Sequence, residues 1–400
     1  MSNILFARWV LPIEAPPIEN GFVKIEDGRI AAVGRVTDLS QIPSTPPSGI
    51  LTPGLINLHT HLELTFPQPI PANGSMADWL FGVIAMRQQF PDLLPRIHAG
   101  IQQLLADGVT TVCDISSQAE SLKPLADSGL RAWVALEFFH PGHEAPLHLD
   151  DYVSRYRQIT GSTKHVQLCV SPHAPYNVSP SAYRAVVEAL QPPLVHTHLA
   201  ECRAETQWVQ GHGGGFDTIH QRFLGQSFLP EGGPSPSAVQ YWASALRPPM
   251  LAAHCVDTTE EDRQFLQQTG VGVAHCPRSN LFLHDETLSW ADWQGYSRLG
   301  LGTDSTLSCP DLSVRAEALA AMALHGWTPE EALWRLTLGG AHALGQEHAL
   351  GSLSPGKWAD LAWWPDSPDF SDPHQAVLQA VGPVGTWVSG EPLDLTSPPR

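Results

Sequence analysis

Residues 53–63 read PGLINLHTHLE, an apolar run that opens after Pro53-Gly54 and ends on His59, Thr60 and His61. The run has the length and composition of a buried strand. Side chains two apart on a strand face the same side, so both imidazoles point the same way. Two histidines delivered together at a strand end can begin a metal site if the rest of the chain brings further donors to that point.

Working outward, the same theme recurs. Apolar runs that read as strands lie near 55–61, 109–116, 130–139, 166–173, 193–199, 250–256, 271–276 and 299–304. Between them lie stretches with apolar residues three and four apart, such as LLPRIHAGIQQLLADG (93–108), SAYRAVVEALQ (181–191) and TEEDRQFLQQTG (259–270). Continuous apolar strands alternating with amphipathic helices predict a parallel sheet covered on both faces. Eight such units fit a closed (β/α)8 barrel. A doubly wound open sheet is the competitor, and strand counting alone does not exclude it. Residues 203–248 form a long Gly/Pro-rich excursion after the fifth strand, a candidate lid or substrate loop.

The two ends of the chain read differently. GFVKIEDGRIAAVG (21–34) alternates apolar and polar residues around Asp27-Gly28, a β-hairpin signal. A Pro/Ser-rich stretch follows at 42–49, and from Gly351 onward LSPGKWADLAWW and GTWVSGEPL again read as short strands. The expectation is a small composite β-sandwich domain built from residues 1–52 and 351–400, flanking a barrel of residues 53–350.

Composition narrows the function classes. Of 400 residues, 42% are hydrophobic and 16% charged, which predicts a sizeable core. With 22 Lys+Arg against 40 Asp+Glu the formal net charge is −18, and no basic block interrupts it, so nucleic acid is not an expected partner. A small molecule read by local groups is. The six cysteines (113, 169, 202, 255, 276, 309) are scattered singly, without a CxxC pair. That argues against a zinc ribbon or disulfide framework and fits a reducing compartment. The first residues, MSNILFARWVLPIEAPP, hold an apolar run broken by Arg8 and too short for a signal-peptide core. No run approaches the roughly 18 apolar residues that span a bilayer. A soluble cytoplasmic protein is expected.

In a barrel, catalytic groups sit where strands end. The fifth strand ends in His196-Thr197-His198-Leu199-Ala200-Glu201, the sixth in Ala253-His254-Cys255, the seventh in Ala274-His275-Cys276-Pro277 and the eighth in Gly302-Thr303-Asp304-Ser305. Each has an ordinary structural explanation, such as a polar strand cap or a helix N-cap. Independent accidents would not readily place histidines and a carboxylate at so many strand ends. Neutral imidazoles plus one carboxylate suit Zn²⁺, with Fe²⁺ as the alternative, and leave a position for water.

These motifs resemble the amidohydrolase superfamily, in particular its cytosine-deaminase-like branch, over almost the whole chain. PGLINLHTHLE, SPHAPYNVSP, HTHLAE, AHCV, HCPRSNLFL and GLGTDS are similar to its first-, fourth-, fifth-, sixth-, seventh- and eighth-strand signatures. GSLSPGKWADLAWW is similar to the return strand into the terminal β unit. The resemblance implies His59, His61, His198 and Asp304 as metal ligands, with Asp304 also accepting the water's proton. It implies Glu201 as general acid/base and His254 as the group that steers the hydrolytic water. His196 lies one layer deeper and is read as structural. Two-metal relatives carry a bridging lysine at the end of the fourth strand, where this chain reads Cys169-Val170-Ser171-Pro172-His173, so a single metal is expected.

On substrate, His173 resembles a contact to adenine-type rings. HCPRSN and HTHLELT are similar to aminodeoxyfutalosine deaminases of menaquinone biosynthesis, whose substrate is an adenine nucleoside carrying a benzoate. The resemblance implies a nucleoside substrate and allows a homodimer. Arg278 is then a candidate bidentate partner for the carboxylate, Arg87 a second one, and Glu63 an acceptor for ribose or purine. Arg278 and Arg87 also read as structural helix or loop residues, and Glu63 as a helix cap. The competing functions are deamination of adenosine, 5′-deoxyadenosine or S-adenosylhomocysteine, hydrolysis of a triazine or cyclic amide, and a catalytically silent scaffold. The full ligand set and Glu201 count against the last.

Overall fold

The computed structural model describes residues 3–40, 47–72, 75–141, 149–367 and 369–394. Eight parallel strands follow one another in strict sequence order: Leu55–Thr60, Val109–Ser116, Arg131–Phe138, Val166–Pro172, Val195–Leu199, Met250–His254, Gly272–His275 and Leu299–Leu301. The seam between the first and eighth strands is closed by a parallel bridge between Thr60 and Asp304. There the His59 carbonyl accepts from the N–H groups of both Thr303 and Asp304 at 3.0 Å. Asn57 reinforces the seam, its Nδ2 donating to Thr303 Oγ1 at 2.9 Å. The closed barrel is observed and the open-sheet alternative falls.

The helices form where periodicity and end signals agree. Leu94–Ala106, Pro180–Leu190 and Glu260–Thr269 coincide with the three quoted stretches. Thr259 and Asp262 make a reciprocal capping box at the start of the last, and Gly270 ends it at φ 72°. The excursion after the fifth strand departs from expectation. Instead of irregular loop it carries three short helices, Arg203–Val209, Gly215–Leu224 and Ala238–Trp242. Ser237 caps the third through Gln240 N, and Phe216, Trp208 and Trp242 are buried beneath them, which accounts for their order.

The chain ends build one seven-stranded mixed sheet. Asn3–Val10, Ile18–Glu26, Arg29–Arg35 and Ile50–Pro53 join Leu361–Trp364, Gly385–Val388 and Glu391–Pro392 in a single hydrogen-bonded order. Asp27 (φ 49°) and Gly28 (φ 76°) form the expected hairpin tip. The Pro/Ser-rich 42–49 stretch lies mostly outside the described residues. Arg131, first residue of the third barrel strand, pairs bidentately with Asp360 at 2.9 and 3.2 Å, and Asp360 also accepts from Ser389 N. The terminal sheet is therefore anchored where barrel strands begin, opposite the strand ends that carry the histidines. All six cysteines are free and buried. Among the described residues no helix is long and apolar enough to cross a membrane.

Candidate metal centre and active site

The seam that closes the barrel also assembles the donors. It carries His59 and Asp304 side by side, and the fifth strand delivers His198 to the same point. The ligand atoms of His59, His61 and His198 all lie within 4.8 Å of one another, and all three residues are buried. His61 Nε2 faces His198 Nε2 at 3.1 Å. Asp304 Oδ1 lies 3.8 Å from His59 Nε2 and 3.7 Å from His61 Nε2.

These residues fit a divalent cation. His59 Nε2 is buried with no hydrogen-bond partner, an arrangement that is costly unless a cation uses the lone pair. On two of the three rings the opposite nitrogen is occupied, while His61 Nδ1 has no partner: His59 Nδ1 meets His196 Nε2 at 3.0 Å, and His198 Nδ1 meets the His173 carbonyl at 2.9 Å. A carbonyl can only accept, so His198 Nδ1 carries the proton and Nε2 keeps its lone pair. His196 thus holds the His59 ring through its Nδ1. Burial, then the neighbouring imidazoles, push His59 and His61 well below the ordinary histidine range. Burial and His173 push His198 down to about 3. All three are neutral, as ligation requires. Asp304 Oδ2 accepts from Ser279 Oγ at 2.6 Å and Ser308 Oγ at 2.8 Å, which turns Oδ1 toward the histidines.

Around this centre stand further titratable groups. Glu201 is buried, its Oε1 3.3 Å from His284 Nε2 and 3.9 Å from His254 Nε2. Burial alone would raise its carboxyl. The facing His254 and His284 outweigh that and hold it well below the usual carboxylate range. Asn280 Nδ2 lies 3.0 Å from His254 Nδ1, so an amide N–H donated there leaves the His254 proton on Nε2, facing Glu201. Backbone strain concentrates here: Ala200 (φ 51°), His254 (75°), Cys255 (51°) and Asp304 (60°) are non-glycine residues in the left-handed region. Such conformations persist only where surrounding packing enforces them, typically at sites of function.

A cavity of about 310 Å³ opens onto the centre. Its inner end is lined by His61, His198, Glu201, His254 and Asp304. Its middle holds Arg87, Glu137, His173 and Asn177. Burial pushes His173 down to about 4, against the opposing pull of Glu201 and Asn177, so its ring is neutral. The outer wall is apolar, with Trp79, Leu80 and Val83 from the Met76–Gln89 helix and Ile219, Phe223 and Leu224 from Gly215–Leu224. The excursion expected to act on substrate therefore supplies half of this wall.

Two expected substrate residues are not brought to the cavity. Arg278 is held by Glu317 through Nε (2.6 Å) and by Asp311 Oδ1 through Nη2 (2.8 Å), and it does not line the cavity. Its fork is filled by the protein's own carboxylates. Glu63 is buried behind the wall, where it accepts from Arg87 Nη2 (2.5 Å), Ser116 Oγ and the N–H and hydroxyl of Ser117. It positions Arg87, which does reach the cavity. Sequence reasoning missed Glu137, Ser279, Asn280, His284 and Ser308. A signal for two of them existed. Asn280 and His284 are four apart in the Pro277–His284 helix, so the face that meets His254 also meets Glu201. Glu137, a charge near the end of the apolar run RAWVALEF, was also visible as an anomaly.

Comparison with known proteins agrees with this architecture. The model of the amidohydrolase family matches residues 50–393. A 5-methylthioadenosine/S-adenosylhomocysteine deaminase of Symbiobacterium thermophilum is 30% identical over 378 residues, covering 88% of this chain and 82% of the relative. The crystal structure of Helicobacter pylori aminofutalosine deaminase in complex with methylthio-coformycin superposes with a TM-score of 0.85 at 23% identity, covering 98% of this chain and all of that one. An adenosine deaminase from Xanthomonas campestris with bound zinc gives 0.76 at 25% identity, over 97% of this chain and 92% of that one. With its family signature spanning the barrel and four of the seven strands of the terminal sheet, this chain belongs to the amidohydrolase family.

Proposed function

We propose that the chain is a metal-dependent hydrolytic deaminase of an adenine nucleoside. The observation that carries this reading is the convergence of a buried His59–His61–His198–Asp304 set with Glu201 and His254 at the closed end of a cavity whose outer wall is apolar. One zinc ion suits the neutral imidazoles and the carboxylate, with iron as the alternative, and when bound it supplies a water acidified toward neutrality. Asp304 Oδ1, with Oδ2 tied to two serines, takes a proton from the attacking water. Glu201 rests ionised, so it takes the water's first proton and delivers it to the ring nitrogen beside the carbon that bears the amine. His254 donates from Nε2 to the oxygen forming at that carbon. The C–O bond forms, the water's second proton passes through Asp304 to the amine, the C–N bond breaks, and ammonia leaves.

The wall speaks to the 5′ substituent. Trp79, Phe139, Tyr176 and Phe223 line the cavity, which favours an aryl-bearing nucleoside such as aminodeoxyfutalosine, its carboxylate reaching solvent at the mouth. That reading would place the enzyme in menaquinone biosynthesis, and it no longer depends on Arg278. The 30% identical relative supports 5′-methylthioadenosine as the second reading. Ammonia release by the zinc-loaded protein would be compared for aminodeoxyfutalosine, 5′-methylthioadenosine, S-adenosylhomocysteine and adenosine. The expected order of kcat/KM is as written. Adenosine should fall roughly 10- to 100-fold below the first, because its bare 5′-hydroxyl leaves the apolar wall unfilled, worth about 1.5–3 kcal/mol per buried side chain. Absence of ammonia from every adenine nucleoside would refute the reading.

A further inference from the structure

Glu137 is a buried carboxylate that the chemistry above does not use. It lies near the end of the third barrel strand, is 3% exposed, and lines the middle of the cavity. Its Oε2 has no hydrogen-bond partner. The cation beside it, Arg87 Nη2, stands 3.7 Å away, beyond hydrogen-bond reach, and is already bonded to Glu63. Its Oε1 is 3.7 Å from His173 Nε2, again too far for a hydrogen bond. Burial raises its pKa and the neighbouring Arg87 opposes the rise, while Oε2 has no donor within hydrogen-bond distance. A buried carboxylate left without donors is costly, and its natural completion is a ligand with O–H or N–H groups.

Its place along the cavity says which part of a ligand arrives there. The His173 ring is 4.6 Å from that of His198, and Glu137 Oε1 is 3.7 Å from His173 Nε2, so His173 neighbours both the metal donors and Glu137. A purine whose amino-bearing carbon sits at the metal ligands fills the space beside His173. Its sugar then falls next to Glu137. A vicinal diol offers two adjacent O–H donors, which match the two oxygens of one carboxylate. A cationic group is a poorer match, because Arg87 already occupies the near side.

We propose that Glu137 accepts hydrogen bonds from the 2′- and 3′-hydroxyls of the substrate's ribose, making it the residue that selects ribonucleosides. The proposal rests on the adenine-nucleoside reading. Its test compares adenosine, 2′-deoxyadenosine and 2′,3′-dideoxyadenosine as probes of the zinc-loaded protein. Loss of hydrogen bonds to a charged acceptor predicts kcat/KM on the order of 100-fold higher for adenosine than for the dideoxynucleoside, with the 2′-deoxynucleoside between. Equal rates on all three would overturn it, and this arm needs no variant to fold. In Glu137→Gln the ratio should shrink below about tenfold, and in Glu137→Leu it should vanish, which a merely structural role would not produce. An unchanged ratio in Glu137→Gln would likewise overturn the assignment. Failure of the nucleoside reading looks different, since no probe would then yield ammonia.

Discussion

Two arginines near the mouth of this barrel each meet two carboxylates, and the pairs serve opposite ends. Arg278 spends Nε on Glu317 and Nη2 on Asp311, with the Asp311 and Ser313 carbonyls accepting from Nη2 as well. Arg87 bonds Glu63 but stands 3.7 Å from Glu137, and its own Nε is buried without a partner. The first cluster is closed on itself and lies outside the cavity. The second is incomplete and faces into it. What separates the structural ion pair from the proposed substrate subsite is unfilled hydrogen-bonding capacity at a cavity wall, not residue type.

The comparison breaks most visibly at Arg278. Arg278→Met leaves Glu317, which is fully buried, without its cation, and should destabilise the fold by about 3–5 kcal/mol. Chemical denaturation measures this. Burial, opposed by Arg278, already raises the Glu317 carboxyl to about 7, above its value in the unfolded chain. A group raised on folding favours the folded state at low pH and loses that advantage as pH rises through its folded pKa. Removing Arg278 raises Glu317 further, so the destabilisation should be largest above about pH 7 and shrink toward pH 5. The ratio of kcat/KM between nucleosides should not change. A changed ratio with stability intact would return Arg278 to the substrate.

A smaller effect of another kind is expected at Arg87. Arg87→Met removes the cation that opposes the burial-driven rise of Glu137 and Glu63, so both carboxyls should be raised further. Kinetics at neutral pH should show KM raised about tenfold, the worth of one charge-assisted hydrogen bond, with metal content unchanged. His173, neutral beside Glu137, offers no replacement charge. Because Glu137 must be ionised to accept two hydrogen bonds, the defect should lessen as pH rises. A defect confined to kcat would instead place Arg87 in the chemistry.

This contrast also marks what a reader of the sequence can and cannot see. The hairpin at Asp27-Gly28 and the eight strands depend on neighbours a few residues apart, and each was legible. The grouping of His59, His61 and His198 was legible because strand alternation and strand ends fix their direction. Arg278 and Glu317 are 39 residues apart, and nothing local announces their pairing. Glu63 sits two residues beyond His61 yet turns away from the cavity, because the chain leaves strand geometry at the Leu62–Leu64 3₁₀ turn. The helices of 203–248 were hidden by glycines and prolines, which end up between them and at their caps, as Gly214 and Gly225 do.

The central claim is that the histidine cluster holds a metal on which deamination depends. The direct measurement is ammonia release from a 5′-substituted adenine nucleoside by protein dialysed against a chelator and then titrated with zinc, with metal content read by mass spectrometry. The account predicts that activity falls to background on stripping and returns in proportion to added zinc, saturating at about one ion per chain, the stoichiometry of a single four-ligand site. Full turnover by the stripped protein, or saturation at two ions, would contradict it.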